Sequence, residues 1–297
     1  MKKRLLVGAV TLGLMTALMG CSSGAKTNSE QGETENKAVA SVGIEASTGT
    51  EAKADTEKTT KLIGLADLVP HNELIELVKP ILSKQGIEVE IVSTAADATW
   101  LDKLNEGEVD FAFFAHWPYV EEYNEANGVK LANAGNIHVE PISAYSNFYQ
   151  NVDEVPDNAK FVIPNDATNE YRALKIIEKA GFIKLDTNLK ELKASTEDIV
   201  EYVKPIEITE IDSIQIIGLA QDFDVYITNT NKALEAGVDT SKYLFREDAN
   251  SPYANIVAVK EEKLDDPAIK ALVEALQSDE AKKFIEEKYN GAVIPAQ

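Results

Sequence analysis

One cysteine, three histidines and two tryptophans in 297 residues leave few groups for redox, metal or nucleophilic chemistry. A lone cysteine excludes a disulfide within the folded chain. Glycine-rich phosphate loops, a Gly-x-Ser-x-Gly elbow and a His-Glu-x-x-His helix are missing, so the sequence is read as a non-enzyme. Basic residues are scarce, with 29 Lys+Arg against 50 Asp+Glu and a formal charge of -21. Such a surface repels phosphates, which excludes a nucleic-acid role. Beyond one N-terminal run, no apolar stretch is long enough to cross a bilayer.

That run is Leu5 to Met19, led by Lys2, Lys3 and Arg4 and closed by Gly20. A basic start, an apolar stretch too short to span a membrane and a small residue at the end make residues 1–20 a signal peptide. Losing its three basic residues takes the charge from -21 to about -24. Cys21 follows directly, and Leu18-Met19-Gly20-Cys21 resembles the lipobox of bacterial lipoproteins. The resemblance implies that Cys21 carries acyl chains such as palmitate. It also implies that the protein works at the cell membrane, lipid-anchored on the extracytoplasmic side. Residues 21–60 hold Ser, Thr, Gly, Ala, Glu and Lys without an aromatic residue. They cannot bury enough apolar surface to offset chain entropy and are read as a disordered tether spanning roughly 35 Å.

From Lys61 onward the periodicity alternates between two and 3.6. Leu62–Ala66 reads as a buried strand and Leu74–Leu82 as a helix. Ile87–Val92 reads as a strand, residues 97–106 as a helix, and Val109–Phe114 as a strand. The pattern restarts with the strand Phe161–Ile163 and a helix from Asn169 to Lys179, capped by Thr168 or Asn169. Glu207–Thr209 reads as a strand, Ile214–Leu219 as a helix and Val225–Ile227 as a strand. Ile256–Val259 then feeds one closing helix with Asp266 as cap and Pro267 in its first turn. Strand–helix alternation gives an α/β fold of parallel sheets covered by helices. Two such units predict two lobes joined by a hinge of two crossings: first lobe 61–143, second lobe 144–243, first lobe completed by 244–297. Ligands of such sheets bind beyond the carboxyl ends of strands, here in the cleft between the lobes.

Three clusters converge on that cleft. Asp110-Phe-Ala-Phe-Phe-Ala-His-Trp-Pro-Tyr119 carries Phe114, His116 and Tyr119 past a strand end, where aromatics grip apolar ligand groups. Alternation leaves Phe111 and Phe113 to the core. Pro164-Asn-Asp-Ala-Thr-Asn-Glu-Tyr-Arg172 puts Asn169 and Arg172 at a helix start, suited to a carboxylate. Thr228-Asn-Thr-Asn231 follows a strand, and Asn229 offers donor and acceptor together. The histidines His71, His116 and His138 are scattered in sequence, and no metal or other cofactor is assigned.

Residues 61–288 closely resemble the NlpA-type family, the methionine-binding lipoproteins of ABC importers. The carrying motifs are Val69-Pro-His71, Phe113-Phe-Ala-His-Trp-Pro-Tyr119, Pro164-Asn-Asp-Ala-Thr-Asn-Glu170, Ala233-Leu-Glu-Ala-Gly237 and Asp248-Ala-Asn-Ser-Pro-Tyr-Ala-Asn255. The resemblance implies a periplasmic-binding-protein-like fold and capture of an amino acid, methionine first, by lobe closure. It implies a monomer that hands its solute to an ABC permease. It further implies that Phe114, His116 and Tyr119 form the side-chain cage, that Asn169 and Arg172 take the carboxylate, and that Asn229 holds the amino-acid backbone. The chain departs from the family pattern at Asp97, where a tyrosine is usual. Ala115 stands where the family has glutamine, and Tyr171 where it has glycine. Asp97, Trp100 and Tyr171 are therefore candidate specificity residues. A different amino acid, a short peptide, or a role as surface adhesin or sensor are the alternatives.

Overall fold

The computed structural model describes residues 59–296 except 94, 95, 98, 190, 191 and 249–251. The signal peptide, Cys21 and nearly all of the tether lie outside the described residues. In chain order the first elements are β1 (Thr60–Ala66), α1 (Glu73–Ser83), β2 (Ile87–Ser93), α2 (Trp100–Glu106), β3 (Phe111–His116), α3 (Trp117–Asn127) and β4 (Leu131–Val139). Next come β5 (Ser143–Tyr145), β6 (Ala159–Pro164), α4 (Ala167–Lys179), β7 (Ile183–Leu185), β8 (Ile199–Tyr202), β9 (Ile206–Ile211), α5 (Ser213–Ile216) and β10 (Val225–Thr228). The chain ends with α6 (Thr230–Glu235), β11 (Phe245–Arg246), β12 (Ala254–Lys260), α7 (Pro267–Leu276), α8 (Asp279–Tyr289) and β13 (Ile294–Pro295).

These strands form two large sheets, ordered β13-β4-β12-β3-β1-β2 and β11-β5-β10-β6-β9, one in each lobe of a two-lobed α/β fold, and β7 and β8 pair as a separate antiparallel ribbon. The β1, β2 and β3 strands pair in parallel, as helical crossovers require, while β12 runs antiparallel between β3 and β4. The second sheet is mixed as well, with β10 parallel to β6 and antiparallel to β5, so neither large sheet is purely parallel. The chain leaves the first sheet after Val139 and enters the second at Ser143. It leaves the second after Arg246 and returns at Ala254. Ser143 and Phe245–Arg246 thus pair within the second sheet, outside the expected second-lobe range of 144–243.

Local chemistry moves several element ends. Helix α2 starts at Trp100 rather than 97, because the Asp97 carboxylate takes the Thr99 N–H at 2.8 Å in a turn ahead of the helix. Strand β3 continues to His116, whose backbone pairs with Asn255 of β12. Helix α4 is capped by Asp166, not Thr168 or Asn169, through the Asn169 N–H at 3.0 Å. The single closing helix is two, broken where the Ser278 hydroxyl caps α8.

Each lobe has its own core. Phe111 and Phe113 face α1 and α7, while Ala112 and Phe114 face the layer of Trp100, Leu101 and Val120. Gly64 lies opposite Phe111 in the β1–β3 register, and a Cβ there would come within 2.2 Å of the Phe111 ring. Gly64→Ala is expected to cost about 1–3 kcal/mol by overpacking, read as a lowered urea midpoint; an unchanged midpoint would contradict that packing.

Candidate functional site

The first lobe supplies an aromatic corner at the end of β3. His116 caps α3: its Nδ1 accepts the Tyr119 N–H at 3.2 Å, which leaves Nε2 as the protonated nitrogen. The Tyr119 ring stands edge-on to His116 at 6.2 Å and to Phe114 at 6.3 Å. Trp100 is 1% exposed and packs edge-on behind Phe114 at 5.1 Å, so it backs the corner instead of entering the cleft.

The second lobe answers with a polar hub at the start of α4. The Asn169 amide nitrogen donates to both Asp166 carboxylate oxygens, at 2.9 and 3.0 Å, which turns its Oδ1 outward. On that oxygen converge Arg172 Nη1 at 3.1 Å, Asn229 Nδ2 at 3.0 Å and, from the first lobe, His116 Nε2 at 3.3 Å. Arg172 is buried. Its Nε and Nη2 donate to the two Glu247 oxygens at 3.3 and 2.7 Å, and Nη2 also to the Glu140 carbonyl at 2.8 Å. The Tyr253 ring lies 4.5 Å from the guanidinium carbon. Among the described residues four of the five guanidinium hydrogens are thereby engaged, one on Nη1 is left over, and Arg172 lines the cleft.

A second network ties the lobes together. Asp67, at the end of β1, accepts the Leu68 and Ala96 N–H groups and the second lobe's Asn231 Nδ2 and Lys232 Nζ, at 2.8 and 2.9 Å. Glu140, on the first crossing, accepts the Asn231 N–H at 2.8 Å and His138 Nε2 at 2.7 Å, with His71 Nε2 at 3.4 Å. His71 also meets Asn255 Oδ1 at 3.2 Å. Ligand atoms of His71, His138 and Glu140 lie within 4.8 Å of one another, a donor set that a divalent metal could use. Metal-bound imidazoles normally pass their other N–H to an acceptor. Here Nδ1 of both rings is buried without a partner, while each Nε2 faces an oxygen. The cluster fits two neutral rings protonated on Nε2, not a metal, and His116 lies apart from it.

Burial, with the Arg172 charge second, pushes His116 down to about 3. Burial likewise takes His71 to about 4 and His138 to about 3. Such rings bind fewer protons folded than unfolded. Their contribution to stability is present above the ordinary 6.5 and is lost as pH falls toward 4 and 3. Glu170 and Glu235, pushed up to about 7 by burial, act in the opposite sense between about 7 and 4.5. No imidazole resonance should therefore titrate between about pH 8 and 5; a ring titrating near 6.5 in the folded protein would refute this burial.

Between the two lobes these groups wall a cavity of about 250 Å³. Phe114, His116, Tyr119, Asn169, Arg172 and Asn229 all line it. Asp97 lines its exposed mouth, where Thr99 N and Oγ1 hold the carboxylate below its ordinary range. Trp100 and Tyr171 are not on the wall; Tyr171 packs against the second lobe's core. Sequence reasoning missed Asp67, Glu140, Asp212, Ile214, Asn231, Lys232 and Asn255 on the wall, and Glu247 behind Arg172. Asn231 and Asn255 stood inside quoted motifs. Glu140 and Glu247 had no local signal among fifty acids.

The sequence model of the NlpA lipoprotein family matches residues 63–297. The chain is 32% identical over 259 residues to the methionine-binding lipoprotein MetQ of Bacillus subtilis, covering 85% of this chain and 94% of that one. It is 31% identical to the membrane lipoprotein TpN32 of Treponema pallidum, over 90% and 99% of the two chains. A nutrient-binding protein from Burkholderia cenocepacia, solved bound to methionine, superposes with a TM-score of 0.76 at 32% identity, covering 80% of this chain and all of that one. Among the described residues no helix is long and apolar enough to cross a membrane.

Proposed function

The chain belongs to the NlpA lipoprotein family, and from that premise we propose that it is the lipid-anchored solute-binding protein of an ABC importer, capturing an amino acid, methionine first, between its lobes. One observation carries the reading. Three N–H donors from both lobes crowd onto the single amide oxygen of Asn169, which has two lone pairs. Donors outnumber acceptors at that point, and a ligand carboxylate, with about four acceptor sites, relieves the excess. The carboxylate docks against Arg172, Asn229 and His116, and the side chain runs along Phe114 and Tyr119. Asn229 also holds the amino-acid backbone. Because donors come from both lobes, the ligand favours the closed arrangement by the energy of bridging them.

No reaction is assigned to the site: its histidines are held neutral as supports, and its acids cap helices or pair with Arg172 and Lys232. Cys21 carries the lipid on the extracytoplasmic side, where the permease takes over the solute. Asp97, committed to Thr99, modulates the cavity mouth rather than serving as a dedicated cation partner. The test is a thermal-shift screen of the full chain against L- and D-amino acids and small peptides, followed by calorimetry. A ligand at a hundred times its Kd adds about 2.7 kcal/mol, so methionine should stand out. A screen in which no amino acid raises the melting temperature would overturn the reading.

A further inference from the structure

Ile214 is an apolar side chain without a place in its own lobe. On the same short helix Ile216 is fully buried with Tyr145, Val162 and Tyr226, and Ile211 packs against that cluster. Ile214 belongs to none of the clusters formed by the described residues and stays 50% exposed. Singly exposed isoleucines are ordinary on a surface, but this one forms part of the cavity wall. Its backbone is pinned: the Asp212 carboxylate takes the Ile214 N–H at 2.9 Å, and the Asp212 carbonyl takes the Gln215 N–H at 2.8 Å.

The first lobe contributes aromatic rings to the same wall. Phe114 and Tyr119 of the first lobe line the same cavity. Burial, and after it the carboxylates of Asp166, Glu122 and Asp212, push the Tyr119 hydroxyl up to about 12. Three acids on the cavity wall each accept a backbone N–H: Asp97 from Thr99, Asp166 from Asn169 and Asp212 from Ile214.

We propose that Ile214 is the second lobe's half of the side-chain pocket, closing over the ligand against Phe114 and Tyr119 and selecting a long apolar side chain. The proposal rests on the amino-acid reading and adds to it a selectivity residue outside the family motifs. Burying Ile214 against a ligand side chain contributes by the apolar area removed from water, about 25 cal/mol per Å². Ile214 itself offers a charged tip no pairing group.

The experiment titrates methionine, norleucine and lysine into the full chain, its Ile214→Ala variant and its Ile214→Met variant by calorimetry. Ile214→Ala should weaken methionine and norleucine about tenfold, or about 1.4 kcal/mol, with the ligand-free melting temperature unchanged because the side chain is outside the core. Ile214→Met, which restores a flexible apolar arm, should recover affinity to within about threefold. Methionine affinity within about twofold of wild type in Ile214→Ala overturns the proposal. So does a loss that Ile214→Met fails to restore, or tighter binding of lysine than of methionine by the wild type. A wild-type chain that binds no amino acid instead overturns the underlying reading, so the two failures are told apart.

Discussion

Arg172→Ala is expected to weaken amino-acid binding more than about a hundredfold. Among the described residues the guanidinium has one Nη1 hydrogen left over and supplies the only cationic group on the Asn169 hub. A hydrogen bond to a charged group is worth about 1.5–3 kcal/mol, and removing the partner adds the cost of an unpaired carboxylate. Glu247 makes that second cost real, since it is only 14% exposed and receives both Nε and Nη2. Truncation therefore damages the apo fold as well, so affinity must be measured on protein shown to melt cooperatively. Arg172→Lys separates the two effects: it keeps the charge beside Glu247 and loses the fork, and it should bind at an intermediate strength. Affinity of Arg172→Ala within about tenfold of wild type would remove Arg172 from the carboxylate site.

Asp67→Ala is the substitution expected to cost the most stability, about 3–5 kcal/mol. The carboxylate is fully buried and receives four donors, two from its own lobe and two from the other. Its loss strands Lys232, which is 12% exposed and left with Glu235 alone. It also strands the Leu68 and Ala96 N–H groups. For a body of this size the melting temperature should fall by roughly 10 °C. Lys232→Met together with Asp67→Leu, which removes both charges, should lose much less than Asp67→Ala. A loss under about 1 kcal/mol in Asp67→Ala would mean that these contacts carry no net stability.

Much of the fold was legible because apolar periodicity is local. The runs around Leu62, Phe161 and Val225 became strands, and Leu74–Leu82 became α1, because burial of one face needs only a pattern within a few residues. The strand β4 escaped, since Asn133, Gly135 and Asn136 break its alternation, and pairing with β12 makes it a strand regardless. Boundaries shifted where a side chain competed with the helix, as at Asp97 and Ser278. The aromatic corner was legible because the end of β3 and the start of α3 are contiguous. The hub's arrangement was not, since His116, Asn169 and Asn229 are separated by 53 and 60 residues along the chain.

By itself the sequence determined an α/β body, and it picked out the aromatic and polar residues that border the cleft. Those follow from periodicity and from strand ends, which are properties of neighbouring residues. The tertiary structure decided the rest. It placed Glu247 behind Arg172, set Arg172 on the cleft, kept Trp100 out of it, held Asp97 at the mouth and set Ile214 on its wall. Those are contacts between residues far apart in the chain, and only the packing of two lobes around one cleft brings them within bonding distance.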